Sequence, residues 1–124
     1  MQSKEEAYAK LQKSKFRASF NLSEADIEYI EAKGLGTIRE HAVDFVRKKL
    51  SAAYPDADGR QTPMSGHPVF KAMHATAFCC RGCMHKWYNV PLGAPLSDDQ
   101  QKRIVNFLMY WVRKKLEKKR TRRL

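Results

Sequence analysis

Residues 97–116 read SDDQQKRIVNFLMYWVRKKL, and this stretch does most to decide the fold. Ser97 and Gln100 form a capping box, and Asp98 and Asp99 place negative charge in the first helical turn. The apolar residues that recur at helical spacing are Ile104, Val105, Leu108, Trp111, Val112 and Leu116. The stretch therefore predicts a long amphipathic helix that reaches about Lys118 and needs other helices to cover its apolar face.

Helix boundaries recur through the rest of the chain. Ser23 is suited to the N-cap of one helix, and Gly34 to its C-cap. Thr37 with Glu40 forms a capping box that predicts the start of the next helix. Pro68 is typical of the first position of a further helix.

The composition fits one folded domain. The chain has 124 residues, of which 43% are hydrophobic and 30% charged, enough for a core and too apolar for wholesale disorder. No segment alternates apolar and polar residues with a period of two. We predict an all-α fold, an irregular single-domain bundle of about five to six helices over residues 1–116. A long loop lies near 54–66, and residues 117–124 form a basic C-terminal tail.

Some classes of protein are disfavoured. No apolar run approaches the ~18–20 residues that a membrane span needs, so we expect no membrane partner. The first residues are polar and lack the apolar core of a secretory signal. Three cysteines within five positions are a poor basis for disulfides and fit a reducing compartment. We expect a cytoplasmic protein.

Positive charge is concentrated at the C-terminus. There are 24 Lys and Arg against 13 Asp and Glu, a net charge of +11, and residues 113–124 contribute +7 of it. Such segments are typical of nucleic-acid contacts because they neutralise phosphates. The predicted nucleic-acid-binding residues are Arg113, Lys114, Lys118, Lys119, Arg120, Arg122 and Arg123. The alternatives are an acidic protein surface as partner and a solvated helix end whose cations suit the helix dipole.

Residues 67–88 read HPVFKAMHATAFCCRGCMHKWY and hold three Cys and three His within nineteen positions. Thiolate and imidazole are the ligands of tetrahedral zinc, so Zn is a candidate cofactor. Cys80 and Cys83 form a C-x-x-C turn, and the first two histidines are seven residues apart, on one side of a helix. A second paired half-site is not evident. The candidate ligands are His67, His74, Cys79, Cys80, Cys83 and His85.

Two other interpretations of this cluster stay open. A thiolate at a helix start, near Arg81 and a histidine, would have a lowered pKa. Cys83 or Cys80 could then act as nucleophile with His74 as base in a thiol-dependent enzyme. Alternatively, the small sulfur side chains only pack the crossing of two helices.

The loop at 59–66 and the residues after the cysteines predict a ligand pocket. Arg60 and Thr62 precede a helix start and could hold a phosphate or carboxylate there. Trp87, with Arg81 nearby, is a candidate platform for stacking a base. Packing in the core is the competing interpretation for Trp87.

The sequence around the cysteines is similar to a known family. The run GRQTPMSGHPVFKAMHATAFCCRGCMHKW, with GLGTIREHAVDFVRKKL before it and VPLGAPLS after it, resembles the bacterial family of unknown function DUF4186. The likeness covers roughly residues 14–116. It implies a small, stand-alone bacterial protein and no particular activity.

The resemblance also implies which positions match the family. They are His67, His74, Cys79, Cys80, Cys83 and Trp87. The family pattern has a histidine after that tryptophan, where this chain has Tyr88, and His85 is the candidate substitute.

The leading functional hypothesis is a basic module that binds DNA or RNA through its C-terminal cations, with the Cys/His cluster bracing the fold through zinc. The alternatives are the thiol-dependent enzyme and a module that binds an acidic protein partner.

Overall fold

The computed structural model describes the backbone of residues 3–123 and the side chains of residues 3–120. This part of the chain is all α-helical and contains no strand, which confirms the predicted fold class. The seven helices are α1 (Lys4–Gln12), α2 (Lys15–Ala18), α3 (Glu24–Lys33), α4 (Leu35–Leu50), α5 (Pro68–Ala75), α6 (Arg81–Tyr88) and α7 (Asp98–Arg123). None of them is both long and apolar enough to cross a membrane.

The predicted caps are found with one exception. Ser23 and Asp26 exchange the two hydrogen bonds of a capping box at the start of α3. Gly34 ends α3 with a φ of 86° and is also the N-cap of α4. Because this left-handed glycine turns the chain directly into the next helix, α4 begins at Leu35 without a side-chain cap. The capping box expected from Thr37 is therefore wrong.

Helix α7 packs mainly against α4 and α5. Every member of its predicted apolar face is buried, and Trp111 is 1% exposed. The core partners on the two facing helices include Ile38, Val46, Val69 and Met73. Helix α7 continues to Arg123, beyond the end predicted near Lys118, and no glycine or proline interrupts the extension.

The segment between α4 and α5 is a long loop, as predicted, and several hydrogen bonds fix it to the helices. The Lys49 ammonium donates to the Gln61 carbonyl oxygen at 2.9 Å. The Thr62 hydroxyl donates to the Cys79 carbonyl oxygen at 2.7 Å. The Asp58 carboxylate accepts from the backbone amides of Arg81 and Gly82 at 2.9 and 3.1 Å. The loop thereby caps α6 and borders the cysteines.

Arg81 is a buried connection between separate segments. It is 2% exposed, and its guanidinium donates to four backbone carbonyl oxygens at 2.6–3.2 Å. Two of these oxygens, from Leu50 and Ala52, lie at the end of α4, and two, from Pro91 and Ala94, lie in the loop before α7. Arg81 therefore links the end of α4 to the loop before α7, and its Nη groups donate to backbone carbonyl oxygens.

We predict that Arg81→Lys lowers the free energy of unfolding by about 3 kcal/mol, because an ammonium cannot replace the planar guanidinium at four carbonyls. Urea denaturation would show the loss as a lower midpoint with an unchanged slope. Arg60→Lys, at an exposed position in the loop, is the matched control and should shift stability by less than about 0.5 kcal/mol. Equal midpoints for the two variants would contradict the role given to Arg81.

Candidate metal centre

The turn between α5 and α6 gathers the three cysteines. Helix α5 ends at Ala75, and Ala77 adopts a left-handed φ of 64°, which reverses the chain. The Sγ atoms of Cys79, Cys80 and Cys83 all lie within 4.8 Å of one another. Cys79 and Cys80 are each 7% exposed, and Cys83 is partly exposed. All three thiols are free, so this group could hold a metal ion.

A buried arginine from the short helix α2 contacts two of these sulfurs. Arg17 is 7% exposed. Its Nη1 donates to the His74 carbonyl oxygen at 2.7 Å and to Cys79 Sγ at 3.6 Å, and its Nη2 donates to Cys83 Sγ at 3.3 Å. The guanidinium also lies 5.8 Å from the centre of the Trp87 ring. One positive charge is thus fixed beside the thiol group.

The third sulfur is tied to the start of α6. Cys80 is the N-cap, and its Sγ accepts a hydrogen bond from the Cys83 amide at 3.3 Å. The two preceding backbone amides, those of Arg81 and Gly82, donate to the Asp58 carboxylate. The first turn of α6 therefore has its free amides satisfied, and the positions of Cys80 and Cys83 are set by backbone geometry.

The three thiols differ in acidity. Burial raises the pKa of Cys79 to about 12, in spite of the hydrogen bond from Arg17. Burial also raises the pKa of Cys80. At Cys83 burial opposes ionisation, but hydrogen bonds from Arg17 and from the two neighbouring thiols outweigh it and lower the pKa. In the metal-free protein, Cys83 is thus the thiol that ionises first.

The pKa of the Arg17 guanidinium depends on the same contacts. Burial alone would lower its pKa, but the hydrogen bonds to Cys83 and Cys79 raise it above the ordinary value. Arg17 therefore stays charged beside the two sulfurs.

The predicted histidine ligands are occupied elsewhere. His67 Nδ1 accepts from the Val69 amide, and its Nε2 lies 3.0 Å from His41 Nδ1. Burial and the neighbouring His41 lower the pKa of His67 to about 4. Within the described residues, the group that could hold a metal ion is the three cysteines, and His67 does not belong to it.

The other two histidines predicted as ligands lie within hydrogen-bonding distance of carbonyl oxygens. His74 Nε2 lies 3.0 Å from the Thr62 carbonyl oxygen, and its ring stacks on Phe20 at 5.5 Å. His85 is exposed, and its Nδ1 lies 3.1 Å from the Val90 carbonyl oxygen. Of the six predicted ligands, the structure brings together only the three cysteines.

The residues of the predicted ligand pocket lie in different surroundings. Arg60 is exposed on the loop, whereas Thr62 is buried and hydrogen-bonded to the Cys79 carbonyl oxygen. Trp87 is half-buried beside Arg17. Arg17 itself was not singled out by sequence, because its partners Cys79 and Cys83 lie 62 and 66 positions away and no local pattern marks it.

Most of the predicted nucleic-acid contacts lie on exposed turns of α7. Arg113, Lys114, Lys118 and Arg120 are exposed, and Lys119 is partly exposed. The side chains of Arg122 and Arg123 lie outside the described residues. Lys115, by contrast, is 4% exposed, with its ammonium 5.9 Å from the centre of the Trp111 ring.

Comparison with known proteins identifies the family. Residues 5–113 match the domain of unknown function DUF4186, so the chain belongs to this family and the resemblance noted from its sequence is confirmed. The match includes Arg17 and all three cysteines and ends before most of the C-terminal cations. No solved structure matches the chain.

Proposed function

We propose that this protein binds one zinc ion through the thiolates of Cys79, Cys80 and Cys83. The observation that carries the proposal is the mutual approach of the three Sγ atoms within 4.8 Å. Tetrahedral zinc with Zn–S bonds of about 2.3 Å holds its sulfurs about 3.8 Å apart. No pair of these sulfurs would need to approach by more than about 1 Å to reach that spacing. Thiolates also favour a soft or borderline ion over magnesium or calcium.

Charge balance supports the same proposal. Three thiolates carry three negative charges, a zinc ion supplies two positive charges, and Arg17 supplies the third. A buried neutral assembly avoids the cost of leaving an uncompensated charge away from water. The Arg17 hydrogen bonds to Cys79 and Cys83 are of the kind that orient metal ligands from outside the coordination sphere. Arg17 is therefore proposed as a positioning residue.

Three protein ligands leave one coordination position for water or another small ligand. Structural zinc sites usually have four protein ligands, whereas sites with three are typical of reactive zinc. Among the described residues, no histidine or carboxylate joins the cysteines to complete a set of four. We propose that the bound ion keeps an exchangeable ligand on the side where Cys83 is partly exposed.

A thiol-dependent enzyme is the alternative function. The partner of its nucleophile would then differ from His74, the base predicted from the sequence. The ring nitrogen of His74 is directed at the Thr62 carbonyl oxygen, whereas Arg17 contacts the sulfur of Cys83. Such a nucleophile would be a thiolate paired with a guanidinium, without a histidine base.

We expect the protein, purified without a metal-affinity tag, to contain about one equivalent of zinc by elemental analysis. Cys80→Ser and Cys83→Ser should each abolish zinc binding, while His85→Ala should retain it because His85 lies outside the cluster. Affinity should rise with pH, since Cys79 and Cys80 must lose protons from raised pKa values before binding.

Circular dichroism of each variant would show whether the helices persist when zinc is absent. Zinc retained by both cysteine variants, or missing only from His85→Ala, would contradict the proposed ligand set.

A second candidate function is nucleic-acid binding by the end of α7. The supporting observation is that Leu116 is buried while the cations Arg113, Lys114, Lys118 and Arg120 of the same helix are exposed. Phosphates could approach these side chains without disturbing the core. The alternative is that the same cations bind an acidic protein surface.

Removal of residues 117–124 should weaken binding to DNA or RNA and flatten its salt dependence, by about one unit of slope for each phosphate that the protein no longer neutralises. Titrations at several salt concentrations measure this slope. Lys33→Gln, an exposed cation on α3, is the control and should leave the slope unchanged. Unchanged binding at low salt after truncation would exclude the role of the tail, and a protein complex that survives nuclease would favour an acidic partner.

A further inference from the structure

A cleft of about 730 Å³ lies on the surface formed by α1, α6 and α7. Its size falls within the range of small-molecule sites, which are usually about 300–1,000 Å³. The three cysteines do not line it, although its wall includes Trp87, whose ring is near Arg17. The cleft is thus a separate feature from the candidate metal centre.

Four aromatic residues line this cleft: Phe78, Trp87, Tyr88 and Phe107. Phe78 and Tyr88 stack with centroids 4.5 Å apart and planes 2° from parallel. Phe107 packs its ring against Phe78 in an edge-on arrangement at 6.0 Å. The Tyr88 hydroxyl donates to the Thr76 carbonyl oxygen, which fixes the orientation of its ring. These contacts are made within the protein, so the aromatic surface is formed before any ligand arrives.

The rim of the cleft carries an excess of positive charge. Its positively charged residues are Lys4, Lys10 and Arg103, and its negatively charged residue is Glu6. All four are exposed. Arg103 also makes an ion pair with Asp99 at 3.3 Å. Because both partners are well exposed, this pair is weak, and Arg103 can turn to a competing anion.

We propose that the cleft binds a small ligand that combines a planar aromatic ring with an anionic group. The ring would lie against Phe78, Trp87 and Phe107, where aromatic contacts favour offset or edge-on packing. The anionic group would be held at the rim by Lys10 and Arg103. Phosphate and carboxylate are the two sources of that charge, and a mononucleotide and an aromatic acid represent them.

Fluorescence provides a direct test because the chain has two tryptophans in different surroundings. Trp87 lines the cleft and is half-buried, whereas Trp111 is 1% exposed in the core. The probes are AMP and benzoate, each with ring and charge, and adenosine and inorganic phosphate, each with one feature only. Trp87→Phe identifies the tryptophan that reports binding.

We expect AMP or benzoate to change Trp87 emission with a Kd below about 1 mM, and adenosine and phosphate to bind at least about tenfold more weakly. The double variant Lys10→Gln with Arg103→Gln should weaken binding by about tenfold. Lys33→Gln, at an exposed cation that is not among the residues lining the cleft, should bind like the wild type.

The outcomes separate the two sources of charge. Binding of AMP alone assigns a phosphate ligand, and binding of benzoate alone assigns a carboxylate. The proposal is overturned if neither anion gives a saturable change up to about 10 mM. It is also overturned if adenosine binds as tightly as AMP, or if the double variant binds like the wild type.

Discussion

A guanidinium buried away from water needs acceptors, and this requirement at Arg17 determines how three helices meet. Arg17 comes from α2, and its hydrogen bonds reach the end of α5, the turn that follows it and the first turn of α6. One carbonyl oxygen and two sulfurs accept hydrogen bonds from this guanidinium. The candidate metal centre and the packing of α2 therefore depend on the same side chain.

The two buried arginines show why the acceptors matter more than burial alone. All four acceptors of Arg81 are backbone carbonyl oxygens, whose charge does not change. The acceptors of Arg17 include the sulfurs of Cys79 and Cys83, which gain or lose a proton and can bind a metal. Arg81 therefore only holds segments together, whereas the environment of Arg17 changes with the state of the thiols.

Local patterns predicted the features that depend on neighbouring residues. The Ser23 cap and the apolar face of α7 follow from spacing within one helix, as does the proximity of Cys80 to Cys83. The approach of Arg17 to Cys83 spans 66 positions and depends on how α2 docks, so no local pattern could reveal it.

The histidines were predicted as ligands because they are close to the cysteines along the chain. In the folded protein, His67 instead contacts His41, which belongs to α4. Sequence proximity correctly placed the three thiols together, but it could not show that the histidines contact carbonyl groups or each other instead.

X-ray absorption spectroscopy at the zinc edge tests the central claim most directly, because it reports the atoms around the ion. With zinc bound at the three cysteines, the spectrum should show three sulfurs at about 2.3 Å and one oxygen or nitrogen at about 2.0 Å. A shell with two or more histidine nitrogens, or one without sulfur, would contradict the assignment of Cys79, Cys80 and Cys83 as the metal ligands.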